Sequence, residues 1–239
     1  MSYVDGFVIP VPDRNKEAYR DMALKAAPIF KEHGAQHFVE CWGDDVPDGK
    51  ITDFRRAVKA EGGENVVFSW VTYPSREVRD EANRKIMADE RLNMDGESTP
   101  FDMQRMIYGG FAPLLEKRSD GAFGYADGYL VAVPMDNKQA YHDMAAKAAT
   151  VFEEYGATRV VEAWGDDVPN GKVTDFKSAV NANEDEAVVF SWVEWPSKQV
   201  RDEAWPKIMA DERMQPDKDS MPFDGKRMIY GGFAPIVDE

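Results

Sequence analysis

The stretch RMIYGGFAP occurs twice in this chain, at Arg105–Pro113 and again at Arg227–Pro235. The offset between the copies is 122 residues (227 − 105), and it relates most of the remaining sequence. Under this offset Tyr3–Glu116 aligns with Tyr125–Asp238 without a gap, and 70 of the 114 aligned pairs are identical. Solenoid repeats have shorter periods, of about 20–50 residues. The sequence therefore predicts two domains, residues 1–116 and 125–239, joined by a linker at 117–124.

Composition favours an ordinary globular protein, because 43% of the residues are hydrophobic and a domain of this length can bury a core without disulfides. Cys41 is the only cysteine and aligns with Ala163, so the chain has no internal disulfide framework. A net charge of −15 disfavours binding to nucleic acid and to anionic membranes. The start of the chain has neither a basic segment nor a long apolar run, so we expect a cytoplasmic location.

Each copy contains the same order of predicted elements: strand, helix, strand, strand, helix, strand. In the second predicted strand, alternation places Phe38, Glu40 and Trp42 on one face and Val39 and Cys41 on the other. The strands of the first copy are expected at Tyr3–Val11, Ala35–Gly43, Val66–Tyr73 and Arg105–Leu114.

The first predicted helix follows a cap at Asn15 and ends near His33, and the second runs from Ser75 to about Leu92. Thr52 is a candidate cap for a short helix with Phe54 inward, although an extended conformation also fits this segment.

The βαββαβ order is typical of a ferredoxin-like sandwich, an α+β fold with two helices on one face of an antiparallel sheet. Aromatic residues populate both faces of the predicted strands, so the face without helices is not expected to contact water. The sequence therefore predicts two ferredoxin-like domains packed sheet to sheet as a fused pseudo-dimeric α/β barrel.

The chain resembles a tandem duplication of the YbaA-like bacterial domain family, a family of unknown function. The matching stretches are VDGFVIPVP, ECWGDDVP followed by TDF, VVFSWVTYPS, VRDEA, MADER, PFD and RMIYGGF. The resemblance implies a ferredoxin-like domain of the dimeric α/β-barrel class, in which two chains form the barrel. It supplies no catalytic residues. An RNA-related label attached to some members finds no support in the acidic charge of this chain.

Comparison of the copies excludes several kinds of duplicated site. None of the three histidines is repeated, so no duplicated histidine base or haem ligand is expected. Asp44 cannot start an EF-hand, because Val46 and Arg55 stand where oxygen ligands are needed, and a solvated turn is favoured. Gly109 and Gly110 lie within the last predicted strand, and no helix can start directly after them, so close packing is favoured over a phosphate loop. We predict no metal and no cofactor.

Polar residues inside apolar strands are the remaining candidates for chemistry, because an unpaired buried charge is costly. A buried pair of Arg105 with Asp5 or Glu40 is one interpretation. The other is a pocket in which Glu40 acts as acid or base, Arg105 holds an anion and tryptophans form apolar walls. The candidate residues are Asp5, Glu40, Trp42, Trp70, Arg105 and Tyr108, with Asp127, Glu162, Trp164, Trp192, Arg227 and Tyr230 in the second copy.

The sequence is compatible with two functions. One is a small-molecule-binding barrel with two equivalent pockets, either a cofactor-independent enzyme or a binding protein. The alternative is a non-catalytic protein-interaction or regulatory module that uses the acidic helix faces, for which a solvated face with local ion pairs is the simpler explanation.

Overall fold

The structure, a computed structural model, describes residues 2–92, 99–215 and 221–239. Within these residues the chain forms eight strands and six α-helices. The strands are β1 (Tyr3–Pro12), β2 (His37–Asp45), β3 (Glu64–Tyr73), β4 (Ile107–Arg118), β5 (Tyr125–Pro134), β6 (Arg159–Asp167), β7 (Glu186–Trp195) and β8 (Ile229–Asp238). The helices are α1 (Lys16–Glu32), α2 (Phe54–Ala57), α3 (Arg76–Ile86), α4 (Lys138–Glu154), α5 (Phe176–Ala179) and α6 (Lys198–Ala210).

All eight strands form one closed antiparallel barrel in the order β1-β3-β2-β8-β5-β7-β6-β4. Each half of the chain contributes four neighbouring strands, and the halves join edge to edge where β2 pairs with β8 and β4 with β6. The predicted packing of sheet on sheet is therefore incomplete, because the edges also pair. Closure satisfies the edge hydrogen bonds that two stacked sheets would leave open.

Large aromatic side chains from both halves fill the barrel. Phe68 stacks on Phe190 with ring centroids 4.5 Å apart, and Trp70 stacks on Trp192 at 4.7 Å. Gly6 makes room for one of these rings, since a Cβ there would lie 2.7 Å from Phe190. The interior is a packed core rather than a channel.

Strand alternation places the two faces of β2 as predicted. Val39 and Cys41 belong to the barrel core, whereas Phe38 and Trp42 pack on the outer face beneath helix α1. The polar Glu40 shares that outer face and is only 5% exposed. The helices therefore cover a sheet surface that carries a buried acid.

The short helix α2 is confirmed, but its cap is different from the one predicted. Asp53 accepts the hydrogen bond from the Arg56 amide at 2.8 Å. Thr52 instead donates to the carbonyl of Ala179 in the other half at 2.6 Å. Its hydroxyl satisfies a carbonyl at the C-terminal end of α5 rather than an amide of its own helix.

Three predicted boundaries shift. Asn15 precedes α1 without capping it, because its side-chain amide donates to the carbonyl of Pro100 at 2.8 Å. Helix α3 ends at Ile86, and a separate 3₁₀ turn at Glu90–Leu92 is held by Asp89, which accepts from the Arg91 amide at 3.1 Å. The last strand of the first half begins at Ile107 and continues to Arg118, two residues into the predicted linker.

The repeated glycines permit close packing, as the sequence predicted. A Cβ at Gly110 would lie 2.5 Å from the Tyr3 hydroxyl and 2.9 Å from the Arg79 guanidinium. The stretch RMIYGGFAP therefore leads into and forms the closing strand of its half, and its glycines admit side chains from the sheet and from α3.

Candidate functional site

A cavity of about 510 Å³ lies in the first half between the outer face of the sheet and helices α1 and α3. Its wall is mainly apolar. The apolar lining includes Phe7, Ile9, Met22, Ala26, Phe30, Phe38, Val71, Ile86 and Met106. Four charged side chains also line it, namely Asp5, Glu40, Arg79 and Asp89. Such a combination of apolar wall and few convergent polar groups is typical of small-molecule sites.

Glu40 is the buried acid of this cavity. The Tyr19 hydroxyl of α1 donates to Glu40 Oε2 at 2.7 Å, and Ser69 on the neighbouring strand also hydrogen-bonds the carboxyl group. Burial raises the pKa of Glu40 from 4.5 to about 7, against the opposing effect of the two hydroxyl donors. Near neutral pH this carboxyl group can therefore either accept or release a proton.

Asp5 is the second buried acid, and its charge is matched within the protein. Arg79 Nε lies 2.6 Å from Asp5 Oδ1, and the Asn83 side-chain amide donates to Oδ2 at 3.0 Å. Burial raises the pKa of Asp5, while Arg79 and Asn83 oppose that rise. Arg79 also contacts Asp167 of the second half at 2.6 Å. The second half thus helps to hold the polar end of the first cavity.

Of the candidates in the first half, Asp5, Glu40 and Tyr108 line the cavity, and the others do not. The predicted pairing of Arg105 is wrong. Arg105 makes a bidentate contact with Glu64 at 2.7 and 2.8 Å. The physical reason is local: Arg105 precedes β4, where Asp102 also accepts from its Nε at 2.8 Å, so the guanidinium is directed toward the start of β3.

The two tryptophans do not form cavity walls. Trp42 packs on the outer face against Ile9 and Val67, with Lys16 over its ring at 5.2 Å. Trp70 directly follows Ser69 in β3, and Ser69 faces outward toward Glu40. Because successive side chains of a strand alternate between faces, Trp70 points into the barrel.

The second half repeats the local pairs. Tyr141 donates to Glu162 at 2.7 Å, and burial raises the pKa of Glu162 to about 7. The remaining candidates also mirror the first half. Asp127 contacts Arg201, and Arg227 pairs with Glu186. Trp164 packs on the outer face, Trp192 lies in the barrel and Tyr230 is half-exposed.

The halves differ at positions that border the cavity. Asn83 is replaced by Trp205, whose Nε1 donates to Asp127 at 3.1 Å and whose ring lies 5.8 Å from Phe152. Phe7 is replaced by Tyr129. The expectation of two equivalent pockets is therefore wrong in its side chains, because a large indole stands where the first half has a small amide.

Sequence reasoning missed Arg79, Tyr19 and Asn83. Arg79 is one of the charged residues of the second predicted helix, whose charges a solvated face would explain, yet its side chain is only 8% exposed. The available signal was that arginine occurs at this position in both copies, because an exposed position does not require the same residue twice. Tyr19 recurs with apolar residues at helical spacing in the first predicted helix. Its hydroxyl group was the signal that it could donate a hydrogen bond to a buried acid.

The segment that holds Asp44 and Asp45 is solvent-exposed, as predicted, but both carboxylates also contact the second half. Asp45 contacts Arg201 of the second half at 3.0 Å, and Asp44 accepts from the Tyr125 hydroxyl at 2.9 Å. These carboxylates therefore connect the two halves, and Asp166 and Asp167 make the reciprocal contacts to Tyr3 and Arg79.

Among the described residues, the helices are too short or too polar to span a bilayer.

Together, the fold and the cavity define a mixed α/β protein with an eight-stranded antiparallel barrel and an acid-containing apolar cavity beneath its helices. The chain belongs to the family described as "Protein of unknown function (DUF1428)", whose model matches residues 2–103 and 124–225. The resemblance found in the sequence is confirmed.

Relatives agree with a duplicated domain. The uncharacterized protein YbaA of Escherichia coli K12 is 64% identical over 117 residues, which are 49% of this chain and all of YbaA. YbaA of Shigella flexneri gives the same values. The chain is thus a tandem duplication of a YbaA-like domain.

Solved structures show the same fold at low identity. A protein of Lactobacillus acidophilus NCFM, provisionally assigned as a monooxygenase, has a TM-score of 0.58 at 12% identity, over 100% of this chain and 96% of that chain. An anthrone oxidase-like protein has a TM-score of 0.58 at 11% identity, over 100% of this chain and 92% of that chain. These similarities concern the fold alone.

Proposed function

We propose that the first-half cavity binds a small, largely apolar molecule and that Glu40 exchanges a proton with it. The observation that carries this proposal is the position of Glu40. It is a buried carboxyl group with a pKa of about 7 that lines a mainly apolar cavity. A general acid or base works best when its pKa lies near the working pH.

The geometry supports a proton-transfer role over a purely structural one. Asp5 already has a cationic partner in Arg79, whereas the hydrogen bonds to Glu40 come from the neutral hydroxyl groups of Tyr19 and Ser69. An ionised Glu40 therefore keeps an uncompensated charge, and a bound molecule can supply the proton that neutralises it.

The alternative function, a protein-interaction module, has less support. Charges on the exposed face of α3 pair locally, since Arg84 contacts Glu81 at 2.6 Å and Lys85 contacts Glu81 at 3.2 Å. Local pairing of this kind explains the duplicated charges without a partner. The expected absence of nucleic-acid binding and the cytoplasmic location stay predictions.

Anthrone is a suitable reporter of the proposed chemistry, and one neighbour of the same fold is described as anthrone oxidase-like. We expect the protein at pH 8 to accelerate exchange of the anthrone C10 protons for deuterium from D₂O. The C10 proton passes to the Glu40 carboxylate and leaves the enolate, which then takes up a deuteron. Glu40→Gln removes the acceptor and should lower the protein-dependent rate by roughly 100-fold or more, as measured by mass spectrometry.

Glu162→Gln is the matched control, because the Tyr141–Glu162 pair has the same 2.7 Å geometry in the other half. It should retain the wild-type exchange rate. Methionine-methyl NMR locates the ligand independently, since Met22 and Met106 line the cavity. Unchanged Met22 and Met106 signals in the presence of anthrone, or equal rates for wild type and Glu40→Gln, would refute the proposal.

We also propose that this chain is the fused equivalent of a two-chain barrel, with domains at 1–116 and 125–239 and a linker at 117–124. Two observations support it. YbaA spans one repeat, and the pairing of β2 with β8 is repeated by β6 with β4.

Cleavage of the linker tests this arrangement. A protease site inserted between Asp120 and Gly121 lies outside the strands, which end at Arg118 and restart at Tyr125. After cleavage, we expect the two fragments to co-elute at the size of the intact chain, because strand pairing and the aromatic core hold them together. Separation of the fragments in native buffer would show that the linker, rather than the interface, maintains the barrel.

A further inference from the structure

The two halves share a backbone plan, but their outer cavities differ in one decisive side chain. In the first half, Asp5 of β1 and Phe30 of α1 both line the cavity. Their equivalents in the second half are Asp127 and Phe152, and the indole of Trp205 contacts both. The Trp205 nitrogen donates to Asp127 at 3.1 Å, as the Asn83 amide donates to Asp5 at 3.0 Å. Trp205 thus keeps the polar contact of Asn83 and adds a ring that contacts Phe152, the equivalent of Phe30.

Two further substitutions also place larger aromatic side chains in the second half. Tyr129, where the first half has Phe7, packs together with Trp205 and Met214 against the buried cluster beneath α4 and α6. Trp195 replaces Tyr73 and donates to Asp127 at 2.9 Å. The acid that faces a cavity in the first half is therefore enclosed by aromatic side chains in the second.

The second half nevertheless contributes to the first cavity. Asp167, at the end of β6, contacts Arg79 Nη1 at 2.6 Å, and Arg79 in turn holds Asp5. Asp166 accepts from the Tyr3 hydroxyl at 2.9 Å and from Arg76 at 2.8 Å. The polar end of the first cavity is complete only when both halves are present.

We infer that the duplicated chain has one ligand site, in the first half, and that residue 83 determines whether a half can bind. The second half has become a supporting domain whose own cavity is filled by Trp205. This inference rests on the proposed function for the location of the site, and it adds the stoichiometry and the residue that sets it.

The test uses N-phenyl-1-naphthylamine, a neutral aromatic probe that fluoresces in apolar sites, together with methionine-methyl NMR. The methionines provide matched reporters, since Met22 and Met106 of the first half align with Met144 and Met228 of the second. For the wild-type chain we expect one probe per chain and shifts at Met22 and Met106 only. Two probes per chain with shifts in both sets would overturn the inference and leave the proposed function standing.

Asn83→Trp should weaken probe binding by at least about tenfold, a loss of 1.4 kcal/mol or more. The fold should tolerate it, because the second half accommodates tryptophan among equivalent neighbours: Arg201 for Arg79, Phe152 for Phe30 and Asp127 for Asp5. Arg84→Trp is the control, since Arg84 is an exposed residue of the same helix that does not line the cavity, and this variant should bind the probe within a few-fold of wild type.

Retained binding in a folded Asn83→Trp variant would show that residue 83 does not gate the cavity. An equal loss in Arg84→Trp would show that any added indole on α3 weakens binding, and that filling the cavity at residue 83 is not the cause. If no methionine of either set shifts with wild-type protein, both the inference and the proposed function fail. The wild-type stoichiometry decides the question even if the tryptophan variant does not fold.

Discussion

Phe190→Ala is expected to lower the free energy of unfolding by about 3–5 kcal/mol, the usual cost of removing a buried phenylalanine ring. Phe190 is fully buried and stacks on Phe68 with an interplanar angle of 4°. It also makes aromatic contacts with Phe111 and Phe176. Because Phe68 and Phe111 belong to the first half, the loss affects the interface between the halves. Denaturant unfolding monitored by circular dichroism measures it.

Gly6 provides the partner for a double-mutant cycle. Gly6→Ala alone should cost about 1–3 kcal/mol, because its Cβ would lie 2.7 Å from the Phe190 ring. In the Phe190→Ala background this cost should largely disappear, since the ring that causes the clash is gone. Gly62→Ala is the control, as its Cβ would meet nothing within 4 Å. Additive effects of Gly6→Ala and Phe190→Ala would contradict the packing described for the barrel centre.

Glu40→Gln is expected to change the pH dependence of stability by about 2–3 kcal/mol between pH 5 and pH 8. Folding raises the pKa of Glu40 from 4.5 to about 7, so between these values the folded state binds more protons than the unfolded state. The stabilising contribution of Glu40 is therefore complete below pH 4.5 and is lost as the pH rises through 7. Glutamine does not titrate, so the variant should gain stability relative to wild type as the pH increases.

Denaturant unfolding of wild type and Glu40→Gln at pH 5 and pH 8 measures this change in their stability difference. Glu162→Gln should show the same sign, because burial raises the pKa of Glu162 to about 7 as well. The two single changes lie in separate halves, so their effects should add in the double variant. A stability difference between wild type and Glu40→Gln that stays constant from pH 5 to pH 8 would mean that Glu40 ionises normally in the folded protein.

Much of the architecture could be predicted from local signals. Alternation in β2 assigned Phe38 and Glu40 to one face and Val39 to the other, and the structure confirms that division. The alternation is reliable because successive side chains of a strand point to opposite faces. Cap assignment was weaker: Asn15 and Thr52 both find partners far along the chain, at Pro100 and Ala179. Such partners have no local signature.

The candidate site was only partly predictable for the same reason. Glu40 stood out as an acid in an apolar strand, but nothing near it in sequence indicates Tyr19, 21 residues away. The sequence suggested Arg105 as a partner of Asp5 or Glu40, whereas in the structure Arg79 of helix α3 contacts Asp5. The contribution of Asp167 depends on strand pairing between the halves, 88 residues from Arg79.

The repeat of RMIYGGFAP at a spacing of 122 residues established the duplication, the element order and the family from the amino-acid sequence alone. These properties follow from local periodicity and from identity between copies. Tertiary structure decided the edge pairing that closes the barrel, the pairing of Arg79 with Asp5 and the different surroundings of Asp5 and Asp127. Together with the substitutions Phe7 to Tyr129 and Tyr73 to Trp195, the last of these depends on the aligned pair Asn83 and Trp205. The sequence shows that they differ, but only the packing of the indole between Asp127 and Phe152 shows what the difference does.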